Sequence, residues 1–146
     1  MDAASSYKTA IRRKQASAPL RELLRRDLVV GPCLDYGCGW GADRDAVNLS
    51  GQDCEGYDPD PAKGCTVFRA RKYKTVLCTY VLNTLSERAG TEVIREILDL
   101  YLRKRGTLFV TVRRDIKAGS RTQRQVYLPY ETVTENSAFC IYRVVR

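Results

Sequence analysis

The chain has 146 residues, 44% hydrophobic and 29% charged, which suffices for one buried core and is too apolar for a disordered tail. It contains no histidine, which excludes Ser-His-Asp and Cys-His nucleophile pairs, histidine-ligated zinc and a histidine general base. The formal charge of +8 is uneven: seven bases and three acids give +4 over residues 1–31, two and seven give −5 over 32–68, and sixteen and seven give +9 over 69–146.

Ser17 before Pro19 marks a helix start, and Leu20, Leu23, Leu24 and Leu28 recur at helical spacing opposite Arg21, Arg25 and Arg26. A helix is therefore expected over 18–28, stopped by Gly31-Pro32. Residues 1–31 read as a basic arm and helix that pack on, or lid, the site of a single domain spanning 1–146. Cys33 to Tyr36 reads as a short buried strand, Gly37 to Gly41 as a tight loop, and 42–50 as a helix ended by Gly51. A second strand, Cys54 to Tyr57, runs into the turn Asp58-Pro59-Asp60-Pro61.

Residues 62–74 are basic and give at most a short strand at Thr66 to Phe68. Thr75 to Val81 is apolar and β-branched, a third strand. Thr91 then caps a helix whose apolar face is Val93, Ile94, Ile97, Leu98 and Tyr101, closed by Arg103-Lys104-Arg105-Gly106. Thr107 to Val112 is a fourth strand, and Arg113 to Arg124, with five bases and one acid, an exposed loop. Gln125 to Leu128 and Phe139 to Val145 are expected as a closing antiparallel pair, the latter alternating Phe139, Ile141, Arg143 and Val145. The whole reads as an α/β fold: a Rossmann-like doubly wound sheet, parallel at its centre, with an antiparallel C-terminal strand pair.

Six cysteines (Cys33, Cys38, Cys54, Cys65, Cys78 and Cys140) form no C-x-x-C pair, and most sit in apolar runs, so they read as reduced core thiols and no metal is expected. No apolar run approaches the roughly 18 residues of a membrane span, and the first residues lack an apolar signal region. A cytoplasmic protein with no membrane partner is expected.

The informative stretch is Asp35-Tyr36-Gly37-Cys38-Gly39-Trp40-Gly41, running from a strand into a helix. Glycines there allow a sharp turn and close approach of backbone to a ligand, beside the unpaired N–H groups of the next helix. Asp58 ends the following strand 19 residues after Gly39, near the ~20 expected of an acid that grips ribose hydroxyls. Gly37, Gly39 and Ala42 also satisfy the dinucleotide fingerprint G-x-G-x-x-A. Asp35 argues against a dinucleotide, because a carboxylate there sits badly beside a pyrophosphate and well beside an ammonium. Between Asp35 and Asp58 the only base is Arg44. S-adenosylmethionine, a zwitterion bearing a sulfonium, fits this acidic pocket better than NAD.

The same residues carry a family resemblance. Asp35 to Gly41 resembles the first motif of class I S-adenosylmethionine-dependent methyltransferases, Gly56-Tyr57-Asp58 their second, and Thr79-Tyr80-Val81-Leu82-Asn83 the region of their fourth. More narrowly, Thr9-Ala10-Ile11-Arg12-Arg13-Lys14 with Ser17 and Pro19, followed by the glycine loop and Gly56 to Asp60, is similar to methyltransferases associated with DNA phosphorothioation. The resemblance implies that Asp35 orients the methionine part of the cofactor and that the backbone of Gly37, Cys38, Gly39 and Gly41 lines its underside. It further implies that Asp58 takes the ribose hydroxyls, Pro59 packs near adenine and Tyr80 lies near the reactive methyl. Read alone, Asp35 could brace the loop, Asp58 serve the turn, and Tyr80 pack in the core. Residues 61–74 lack the acid that many relatives use for the adenine amine, and the motifs of amino-directed and cytosine-C5 base methylation are absent.

The function expected is methyl transfer from S-adenosylmethionine to an acceptor, with a catalytically silent cofactor-binding partner or sensor of another protein as the alternative. A base would have to be Tyr80, Asp43, Asp60 or water, and Asn83 could orient the acceptor. Tyr80 and Asn83 are the candidate catalytic residues. Arg12, Arg13, Lys14, Arg113, Arg114, Lys117, Arg121 and Arg124 are candidates to hold the phosphates of a nucleic acid, DNA or RNA.

Overall fold

The structure, a computed structural model, describes residues 13–60, 63 and 72–146. Expectations on Arg12, Pro61, Cys65 and the strand at Thr66 to Phe68 lie outside the described residues. In chain order the elements are α1 (Ala18–Arg25), β1 (Cys33–Tyr36), α2 (Ala42–Leu49), β2 (Cys54–Tyr57), β3 (Tyr73–Thr79), a 3₁₀ turn (Leu82–Thr84), α3 (Glu87–Glu96), β4 (Leu102–Arg113), β5 (Glu131–Glu135) and β6 (Phe139–Val145). The sheet order is β2-β1-β3-β4-β6-β5. β1 runs parallel to β2 and β3, and β3 parallel to β4, while β6 is antiparallel to both β4 and β5.

Side-chain alternation on β4 explains the layers. Leu108, Val110 and Val112 point to one face, where they meet Leu34, Val76 and Cys78 of the sheet, Ile94 of α3 and Ile97 beyond it. Phe109 points to the other face, onto Leu77, Ile141, Leu20 and Leu23 of α1, and Val47 of α2. With both faces covered, central strands read as unbroken apolar runs. Each fully buried aliphatic or Phe side chain contributes about 1.5–3 kcal/mol.

Ser17 caps α1 as expected, its hydroxyl accepting from Leu20 N at 3.3 Å. Other expectations are corrected. Ser86, not Thr91, caps α3, accepting from Ala89 N at 3.2 Å, while the Thr91 hydroxyl bonds back to Glu87 O inside the helix. Arg103 to Gly106 do not close that helix. The helix widens into a π turn over Ile97–Tyr101, and buried Leu102 then passes directly into β4, pairing with Tyr73. Between that pair and Thr75↔Thr107, β4 uses five residues where β3 uses two, so Arg103, Lys104 and Arg105 bulge out of the strand.

Gln125 to Leu128 is no strand; the outer strand is Glu131–Glu135. Val126, Leu128 and Tyr130 do alternate, but they lie on the core from a loop whose Val126 carbonyl accepts from the Arg114 side chain. β6 is buried on both faces from Phe139 to Tyr142, since it sits between β4 and β5, and Val145 is exposed. Among the described residues no helix is long and apolar enough to cross a membrane, and Cys33, Cys38, Cys54, Cys78 and Cys140 are buried free thiols.

Candidate functional site

Leaving β1, the chain crosses to β2 on one side and later to β3 on the other, so a crevice opens at the carboxyl ends of β1 and β3. The glycine loop sits there. Gly37, Gly39 and Gly41 all take left-handed conformations, with φ of 79°, 56° and 89°. Gly37 N and Cys38 N both donate to Tyr57 O, at 2.8 and 2.9 Å, tying the loop to the end of β2. A side chain at Gly37 would come within 2.6 Å of Val81 Cγ2, and one at Gly41 within 2.5 Å of Arg44 Nη2. Buried Cys38 fills the space behind, where a side chain at Gly56 would meet its Sγ at 2.9 Å.

Asp35, in β1, is 2% exposed, and among the described residues nothing hydrogen-bonds its carboxyl. Burial raises its pKa well above the usual carboxylate range; Asp43 and Asp58 push the same way, and Arg44 and Arg13 oppose them. An unpartnered buried carboxyl is costly unless a cation completes it, so the residue does not brace the loop in this state. Its environment fits an ammonium.

Asp58 is the brace. Its Oδ2 accepts from Gly39 N at 2.8 Å and its Oδ1 from Asp60 N at 2.9 Å, so it joins the glycine loop to the turn after β2. Each oxygen keeps a further lone pair for a ligand hydroxyl. Pro59 follows as an exposed residue of that turn.

Tyr80, directly after β3, has φ 62°, a conformation that costs a bulky residue of order 1–3 kcal/mol and clusters at functional sites. Its N–H donates to Thr111 O at 2.9 Å, and its ring carries Arg13 at 5.5 Å and Arg113 at 5.1 Å. Burial raises the phenol pKa against the pull of these two guanidiniums, so Tyr80 rests protonated. Asn83 is corrected. It is fully buried, its amide donates to Arg124 O at 2.9 Å and its oxygen accepts from Arg113 N at 2.7 Å, so it ties the loop after β4 to the turn after β3 and does not face an acceptor.

The remaining base candidates are engaged. Asp43 accepts from both Ser17 N and Ser17 Oγ at 2.7 Å, locking α1 to the first turn of α2. Asp60 pairs with Lys63 at 2.6 Å, and that lysine also stands over the Trp40 ring at 5.2 Å.

The basic set divides. Arg114 is spent on Glu135, Val126 O and the Tyr142 hydroxyl, and Arg124 on Leu85 O and Gln125 O, so neither is a phosphate ligand. Lys14, Lys117 and Arg121 are exposed. Arg13 and Arg113 converge on Tyr80 instead of spreading over a surface. Sequence reasoning missed three supporting residues: Ser17 as partner of Asp43, Arg44 beneath Gly41, and Val81 against Gly37. Arg44 alone had a visible signal, as the single base between the two acids.

The family of proteins described as a methyltransferase domain matches residues 9–140. Among curated proteins none matches the sequence. Similar solved structures include a SAM-dependent methyltransferase from Bacteroides fragilis bound to S-adenosyl-L-homocysteine, with TM-score 0.64 and 16% identity over 98% of this chain and 81% of that one. Another is the Burkholderia thailandensis 1,6-didemethyltoxoflavin-N1-methyltransferase, with TM-score 0.59 and 15% identity over 88% of this chain and 77% of that one. A third, a glycopeptide N-methyltransferase complexed with S-adenosylmethionine, has TM-score 0.57 and 14% identity over 94% and 70%. The chain belongs to the methyltransferase-domain family, with the fold of S-adenosylmethionine-dependent class I enzymes.

Proposed function

We propose that this methyltransferase binds S-adenosylmethionine under its glycine loop and methylates an acceptor entering over Tyr80. The observation that carries the reading is the Asp35 carboxyl, buried and unpartnered beside three left-handed glycines. Asp35 would hold the amino-acid ammonium, Asp58 the ribose hydroxyls, and the Gly37 to Gly41 backbone the body of the ligand. Bound there, the cofactor supplies an electrophilic methyl. The chain's own part is to align the acceptor, exclude water and present the Asp35 carboxyl to the ammonium. With Asp43 and Asp60 tied to Ser17 and Lys63 and Tyr80 protonated, the acceptor offers a lone pair that is free at neutral pH, and its proton leaves to water. Thermal melting tests the reading: S-adenosylmethionine and S-adenosylhomocysteine raise the midpoint, NAD does not, and Asp35→Ala abolishes the shift. A ligand at 100 times its Kd adds about 2.7 kcal/mol. A shift with NAD alone would overturn it.

Exposed Lys14, Lys117 and Arg121 support a nucleic-acid acceptor as a second reading, as does the similarity of the N-terminal segment to methyltransferases associated with DNA phosphorothioation. Oligonucleotide binding that falls steeply with salt would favour it.

A further inference from the structure

Two arginines from distant segments meet on one ring. Arg13, preceding α1, and Arg113, ending β4, lie 5.5 and 5.1 Å from the Tyr80 centroid. Stacking uses the flat face of a guanidinium and leaves its N–H edge to bind. Arg113 Nε donates to Asp115 Oδ1 at 3.1 Å, and among the described residues neither its terminal nitrogens nor Arg13 has a hydrogen-bond partner. Neighbouring Arg114 and Arg124, by contrast, are consumed inside the fold.

We propose that Arg13 and Arg113, held against Tyr80, grip an anionic group, a carboxylate or a phosphate, on the methyl acceptor. The inference rests on the methyltransferase reading above and adds the class of acceptor. Both guanidiniums lie within cation–π reach of the same ring and Asp115 offsets only one of them, so the place carries net positive charge that an anion on the acceptor would neutralise and a neutral or cationic acceptor would not. Tyr80 directly follows β3, at whose carboxyl end the crevice opens.

The test is calorimetric titration of inorganic phosphate and of benzoate into the full chain loaded with S-adenosylhomocysteine. At least one anion binds saturably. Arg13→Ala and Arg113→Ala each weaken it about tenfold, Arg113→Lys also weakens it by losing the planar fork, and Arg88→Ala, on the exposed face of α3, leaves it unchanged. A single-stranded oligonucleotide whose binding falls with the same two variants would assign the anion to backbone phosphate; phosphate or benzoate binding without oligonucleotide binding would assign it to a small acceptor. Failure of both small anions to bind, or equal binding by wild type and both alanine variants, overturns the proposal. The melting shift with S-adenosylhomocysteine separates the two readings. Retained in the variants, it leaves the cofactor site standing; absent in wild type, it removes that site and not only the anion.

Discussion

In the proposed function, Asp35 would serve binding at the expense of stability. Its pKa is raised in the folded protein, chiefly by burial, so the protonated form favours folding and this contribution is lost as pH rises through the raised value. Asp35→Asn should therefore raise the melting temperature of the ligand-free protein, by an amount that grows from pH 5 to pH 8. The amide is also polar and unpaired there, so the gain is the removed cost of ionising a buried acid. The same variant should lose the cofactor-induced shift. In the wild type, cofactor affinity should rise with pH below the raised value, by up to about tenfold per unit, and level off above it, because the ammonium needs the ionised carboxyl. Calorimetry from pH 5 to 8 checks this, and a flat profile would speak against the ammonium–Asp35 contact. The position of Asp35 was legible from its spacing to Gly37. Its burial was not, since that depends on how β1 packs between β2 and β3.

At the scale of elements, the glycine loop and the turn after β3 fit against each other. Gly37→Ala forces an L residue into φ 79° and drives its Cβ onto Val81. The conformation alone costs about 1–2 kcal/mol. In urea melts, Gly37→Ala with Val81→Ala should recover the steric part and not the conformational part. Asn83→Ala should strip partners from Arg113 N and Arg124 O, at about 1–3 kcal/mol for each buried group left unpaired. Hydrogen exchange at the Arg113 amide should quicken more than at the Arg124 amide, whose bond to the Asn83 main-chain oxygen survives, while cofactor binding persists. Strand positions with continuous apolar runs were readable because tertiary packing and local pattern agree there. The π turn, the bulge at Arg103 to Arg105 and the loop over Val126 to Tyr130 were not. A period-two apolar pattern is shared by strands and by extended loops lying on a core, and hydrogen-bond partners decide between them.

For the whole molecule, the sheet separates two apolar layers, and adjacent residues of β4 feed different ones. Leu108→Ala should cost about 2–5 kcal/mol in one layer and Phe109→Ala about 3–5 kcal/mol in the other. The two residues pack against different neighbours, so their losses should add. Domains are typically stable by only about 5–15 kcal/mol. Each single variant should melt cooperatively at a lower midpoint, and the double variant should show little or no folded baseline by circular dichroism.

The order β4-β6-β5 also governs how the chain assembles over time. β6 comes last of the six in sequence, yet it fits between two strands made before it, pairing with β4 from Thr107↔Val145 to Arg113↔Phe139 and with β5 on its other side. During synthesis β4 waits with one edge unpaired, an edge on which other chains can nucleate aggregation. β5 has no strand to join until β6 arrives. Arg113, which lies over the Tyr80 ring, pairs with Phe139, so the end of β4 beside that ring is fixed by the same late event that seals the sheet.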